Sequence, residues 1–96
     1  MNSIGERIRN IRESKNLLLR QVAAYLEIYT ALLSKMERGE RRLTREQVVA
    51  LSNHFGVEEK DLLTLWLSDK ILNSVKDDKY AALALNKATE LLINKA

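Results

Sequence analysis

The sequence predicts an all-α domain, and three observations carry that expectation. Its 96 residues include no proline and three glycines, so helix breakers are scarce. Apolar residues recur at three- and four-residue steps in one segment after another, the period of a helix with one buried face. β-branched and aromatic residues are scattered without alternating runs, which argues against a sheet. A chain of this length closes one core, and no repeat or low-complexity tract divides it.

Ile4 to Lys15 forms the first helix, with Ile4, Ile8 and Ile11 on one face and Arg7, Arg9 and Arg12 around it. Ser3 and Glu6 fit a capping box at its start, and Asn16, which tolerates a left-handed backbone, fits its end. Leu17-Leu18-Leu19 is a buried entry to a second helix over about Leu19 to Glu27, with Val22, Ala23 and Leu26 facing inward. A third lies within Ile28 to Arg38, anchored by Leu32 or Leu33 and by Met36, and Gly39 stops it. Glu40-Arg41-Arg42-Leu43 is a basic loop. Thr44 and Gln47 form a capping box for the fourth helix, whose stripe is Val48, Leu51 and Phe55 and whose stop is Gly56. The fifth begins near Glu58-Glu59, is apolar on more than one face, and runs to about Val75. Asp77 or Asp78 caps a last helix from Lys79 to Ile93.

Charge divides the chain. Residues 1–45 hold ten Lys/Arg against five Asp/Glu, and residues 46–96 hold six against eight. A basic N-terminal half suits a polyanion, although an unevenly charged soluble surface has the same composition. Without cysteine there is no disulfide framework, thiolate metal site or cysteine nucleophile. Neither a signal-peptide core nor a bilayer-length apolar run is present, so a cytoplasmic protein without membrane contact is expected. The lone His54 reads as a surface or helix-end residue, and Asp77-Asp78 as a cap rather than a metal site. No catalytic constellation or phosphate-cradling glycine loop is visible, so neither an enzyme nor a cofactor is expected.

Ile4-Gly5 with Ile8, Ile11 and Arg12, then Val22-Ala23 with Leu26, Ser34-Lys35-Met36-Glu37-Arg38-Gly39, and Leu51 with Phe55-Gly56-Val57 together resemble the Cro and phage-repressor (Xre-like) helix-turn-helix regulators. The resemblance covers about residues 4 to 67. It implies a five-helix DNA-binding domain over residues 1–67, to which residues 68–96 add a C-terminal helical extension. It also implies that Leu18 to Leu26 crosses the phosphate backbone while Tyr29 to Arg38 enters the major groove of double-stranded DNA. The base-contact positions carried over are Tyr29, Thr30, Ala31, Ser34 and Lys35. Arg20, Arg38, Arg41 and Arg42 are placed for phosphates. Arg12 and Glu37 match a structural pair of the family.

Three residues depart from the pattern: Leu18 where Ser or Thr caps, Leu19 where Gln touches the backbone, and Glu27 where the turn has Gly. A left-handed Glu27 would cost about 1 kcal/mol, unless the turn has another geometry. Trp66, Leu67, Ile71, Leu72, Leu83 and Leu91 are surplus to a closed five-helix core and are expected to form a homodimer. The competing expectation is a last helix folded back on its own domain. The function expected is a sequence-specific transcriptional regulator, repressor or operon controller, acting as a dimer on a pseudo-palindromic operator. The alternative is an antitoxin or other module that sequesters a protein partner through its C-terminal helices.

Overall fold

Four of the helix ends share one device, and it makes the turns of the domain. The computed structural model describes residues 3–95, all of whose regular structure is helical. Its elements are α1 (Ser3–Ser14), α2 (Leu19–Leu26), α3 (Thr30–Glu37), α4 (Arg45–Phe55), α5 (Glu59–Val75) and α6 (Ala81–Lys95). The first four each end on a residue with positive φ: Asn16, Glu27, Gly39 and Gly56. In each case the next amide reaches back five residues: Leu17 to the Arg12 carbonyl (3.0 Å), Ile28 to Ala23 (3.0 Å), Glu40 to Lys35 (2.8 Å) and Val57 to Ser52 (3.0 Å). This 6→1 closure satisfies carbonyls that a helix end leaves open and reverses the chain sharply.

Helix starts are set as locally. Thr44 Oγ1 accepts from the Gln47 amide (3.1 Å) and Gln47 Oε1 accepts from the Thr44 amide (2.9 Å), the capping box expected for α4. At α2 only the reciprocal half forms: Gln21 Oε1 accepts from the Leu18 amide (2.8 Å), since a leucine side chain has no acceptor to offer. The last helix starts two residues later than expected. Asp78 accepts the Tyr80 amide on Oδ1 (2.8 Å) and the Ala81 amide on its carbonyl (3.1 Å), which closes a turn before α6. The first helix takes in Ser3 and stops at Ser14; the expected Ser3 cap lies outside the described residues, because the Ser3 side chain is not among them.

The inward faces of α1 to α5 meet in one core of Ile4, Ile8, Ile11, Val22, Ala23, Leu33, Met36, Leu43, Val48, Leu51, Phe55 and Leu62. Each large aliphatic side chain fully buried there contributes about 1.5–3 kcal/mol. The Leu32-or-Leu33 alternative resolves to Leu33, with Leu32 half-buried at the edge. Of the entry to α2 expected to be buried, Leu17 and Leu19 are half-buried against the core and Leu18, which precedes the helix, is exposed. α6 stands apart from this core and has no buried residue. The radius of gyration, 15.1 Å, accordingly exceeds the roughly 12.5 Å of a compact domain of this length. The competing expectation, a last helix folded back on the core, is not what the described residues show. α5 runs unbroken through position 67, so the boundary expected between 67 and 68 falls inside a helix.

Candidate nucleic-acid interface

α2 and α3 are joined by Glu27-Ile28-Tyr29, and the geometry of this turn decides where α3 points. Glu27 adopts φ 57° and ψ 43°, so the left-handed turn is kept although the residue has a Cβ. Ile28 supplies the compensation by packing against the core. Tyr29 is extended and its carbonyl accepts the Leu32 and Leu33 amides (3.0 and 3.2 Å), which starts α3 at Thr30. The amides of the first turn then face outward at the positive end of the helix dipole, a setting that favours anions.

One face of α3 is fixed by Leu33, Met36 and Glu37, all buried. Its other face carries Thr30, Ala31 and Lys35, exposed, and Ser34, half-buried. Tyr29 stands in front of them at 86% exposure, so its ring does not close the turn. Four of the five residues expected to face the groove thus share one side of one short helix, and Tyr29 precedes it as the N-cap. Lys35 and Thr30 bring donors to that face, and Ala31 a methyl group.

The far end of α3 is bolted to α1. Arg12 donates from Nε to Glu37 Oε2 (2.7 Å), from Nη2 to Glu37 Oε1 (3.1 Å) and from Nη1 to the Leu17 carbonyl (2.9 Å). Both side chains of the pair are buried. The Glu37 hydrogen bonds hold the Arg12 guanidinium in its charged form more firmly than in an exposed arginine, against the opposing effect of burial. A forked pair of this kind admits one relative orientation of α1 and α3. Its worth is directional, because desolvation offsets much of the attraction.

The expected phosphate contacts are arranged around this helix. Arg20 is exposed in the first turn of α2, and Arg41 and Arg42 are exposed in the loop before α4. Arg38 is already engaged: its Nη1 donates to Ser34 Oγ and its Nε to Glu40 Oε2 (2.8 Å). The hydrogen bond and charge of Arg38 pull the Glu40 carboxyl below the usual carboxylate range. The pair is therefore intact at neutral pH and is lost only as pH falls through that lowered value. Two side chains expected to face DNA, Ser34 and Arg38, are bound to each other in this structure.

The residues expected at a dimer contact separate into two groups. Trp66 and Leu72 are half-buried, and Trp66 packs on the core and donates from Nε1 to the Leu43 carbonyl (2.9 Å). Leu67, Ile71, Leu83 and Leu91 are exposed, from 41% to 67%. Leu67, Ile71, Leu72 and Leu85 line one shallow groove where α5 meets α6.

Two residues were not singled out from the sequence. Asp69 is buried on α5 and accepts the Ile4 amide on Oδ2 (2.8 Å), capping α1 from 65 positions away. An acid within the apolar stretch of the helix, past the two in its first turn, was the available signal. Gln21, three residues after Leu18, supplies the half cap of α2. His54, at the end of α4 as expected, is half-buried and stacks on Tyr25 with centroids 4.0 Å apart. Among the described residues no group of three or more His, Cys, Asp or Glu is placed to hold a metal ion. No helix among them is long and apolar enough to cross a membrane.

A family model described as a helix-turn-helix domain matches residues 3–65. The "Control protein C.BamHI" of Bacillus amyloliquefaciens is 33% identical over 60 residues, which cover 62% of this chain and 74% of that protein. The "HTH-type transcriptional regulator DdrOP3" of Deinococcus deserti is 33% identical over 58 residues, 60% of this chain and 45% of that protein. The chain thus spans less than half the length of the second relative. No solved structure matches.

Proposed function

The chain belongs to the helix-turn-helix domain family, as an Xre-like member, and on that premise we propose that it is a sequence-specific transcriptional regulator of double-stranded DNA. The observation that carries the reading is the two-sided α3: Leu33, Met36 and Glu37 fix it from behind, while Thr30, Ala31, Ser34 and Lys35 are presented together in front. Thr30, Ser34 and Lys35 read base edges in the major groove, Tyr29 and Ala31 add contact at the leading end, and Arg20, Arg38, Arg41 and Arg42 set the register on phosphates. The names of two relatives, a control protein and a transcriptional regulator, support regulation as the output.

The regulator acts as a homodimer on a pseudo-palindromic operator. Support for this comes from the apolar side chains of α5 and α6 that remain exposed in the single chain. An isolated helix of 15 residues is marginal in water, so α6 gains from a partner. A two-fold contact there would present two copies of α3 to successive turns of one face of the duplex. The same exposed face supports the alternative of a module that captures a protein partner. A stable complex with a neighbouring gene product on co-purification would favour it.

Gel shifts with the DNA upstream of its own gene, run at two salt concentrations, test the function. The expected outcome is a specific complex that weakens as salt rises. Binding that ignores salt, or no binding, contradicts it. Lys35→Ala is expected to reduce discrimination between operator and scrambled DNA by about 1–3 kcal/mol.

A further inference from the structure

Beyond the helix-turn-helix, α5 carries a row of donors that neither the core nor the dimer reading uses. Lys70, Asn73 and Lys76 follow one another at three-residue steps, so they lie along one ridge of the helix and its cap. All three are exposed. That ridge faces the loop after α3: Arg41, Arg42, Lys70 and Asn73 line a cavity of about 160 Å³. Arg41, Arg42, Asn73 and Lys76 line the adjoining one, of about 280 Å³. Trp66 holds the two walls in place, by its hydrogen bond to the Leu43 carbonyl (2.9 Å) and by the Lys70 ammonium 4.6 Å above its ring.

Among the residues lining the two cavities four cations stand against two acids, Glu40 and Asp69, and Asp77 and Asp78 line the next hollow beyond Lys76. Glu40 is paired with Arg38, and Asp69 is buried with one oxygen on the Ile4 amide. Four cations therefore line a continuous groove beside the end of the recognition helix, with an asparagine amide between the two lysines. This chemistry fits a chain of phosphates: point charges for the oxyanions, while the Trp66 ring that also lines the first cavity lies beneath the Lys70 ammonium rather than open to a stacking base.

We infer that Lys70, Asn73 and Lys76 form a second phosphate-binding ridge, which with Arg41 and Arg42 carries the DNA backbone past the edge of the site read by α3. The inference rests on the DNA-binding reading above, and it lengthens the footprint into flanking sequence that is held but not read.

The test uses the full chain in anisotropy titrations over a range of salt, on two duplexes from upstream of its own gene. One is trimmed to the minimal specific site and the other is extended on both sides. Each phosphate contact adds about −0.9 to the slope of log K against log salt. On the extended duplex, Lys70→Ala with Lys76→Ala is expected to make the slope shallower by about 1.8 per chain. The paired Lys→Arg changes are expected to retain the wild-type slope, and on the trimmed duplex wild type and Ala variant should coincide. An unchanged slope in the Ala variant, with specific binding intact, would overturn the ridge and leave the regulator reading standing. Absence of specific binding by the wild type would overturn both. The DNA-free protein is titrated in parallel with inorganic phosphate. Binding there that Lys70→Ala with Lys76→Ala abolishes, beside an unchanged DNA slope, would overturn the DNA assignment and make the groove a site for a free anion.

Discussion

The core of α1 to α5 and the last helix use their leucines in opposite ways. Leu33 and Leu51 are fully enclosed, whereas Leu83, Leu91 and Leu92 are 57–71% exposed. Both regions show apolar residues at helical spacing, and both form helices. The difference teaches that periodicity reveals an apolar face but not what covers it. In the first region that face packs against other helices in one core; in the second most of it is exposed in the single chain, with Leu85 half-buried beside α5. The proposed DNA-reading surface is built on the first region, where the buried Leu33, Met36 and Glu37 back a helix whose Thr30, Ala31 and Lys35 are exposed.

The sharpest way to break the comparison is Glu37→Ala, which leaves the buried Arg12 guanidinium without its carboxylate. It is expected to destabilise the domain by about 3–5 kcal/mol in denaturant unfolding. A loss below about 1 kcal/mol would mean that the pair is solvated and that α3 is not bolted to α1.

Two turn substitutions come next, with opposite signs. Thr44→Ala removes the side-chain acceptor of α4 and is expected to cost about 1 kcal/mol. Glu27→Gly relieves a left-handed backbone and is expected to stabilise by up to about 1 kcal/mol, less the entropy a glycine adds to the unfolded chain. Thermal midpoints of the pair should therefore move apart from that of the wild type; a lower midpoint for Glu27→Gly would show that this side chain does more than tolerate the turn.

The smallest expected effect on folding lies in α6. Leu83→Asp is expected to change denaturant unfolding of the helix-turn-helix region by no more than about 0.5 kcal/mol at concentrations where the protein is monomeric. Light scattering at micromolar concentration should show the mass falling from dimer to monomer. A large loss of monomer stability would mean that α6 packs on its own domain, and the contrast between the two regions would collapse.

What could be read in advance follows the range of each interaction. Thr44, Gln47, Asn16, Gly39 and Gly56 act on residues within five positions, and the helix ends they set fall within a residue or two of expectation. The Arg12–Glu37 pair spans 25 positions, and the resemblance rather than any local pattern pointed to it. Asp69 reaches Ile4 across 65 positions, and helical spacing has nothing to say about a contact of that range. The two backbone shapes left open at Glu27 resolved to the strained one, because Ile28 needed its place in the core. The pairing of Ser34 with Arg38 is local, four positions apart at the end of α3, yet both side chains were assigned outward to DNA rather than to each other.

The central claim is that a dimer reads DNA through the exposed side of α3. Sedimentation of the protein with a duplex from upstream of its own gene, in parallel with a scrambled duplex, tests it most directly. The account predicts two chains on the specific duplex, no comparable complex on the scrambled one, and loss of that preference when Thr30 and Lys35 are both changed to alanine. A single chain per duplex, or equal complexes on both sequences, would contradict it.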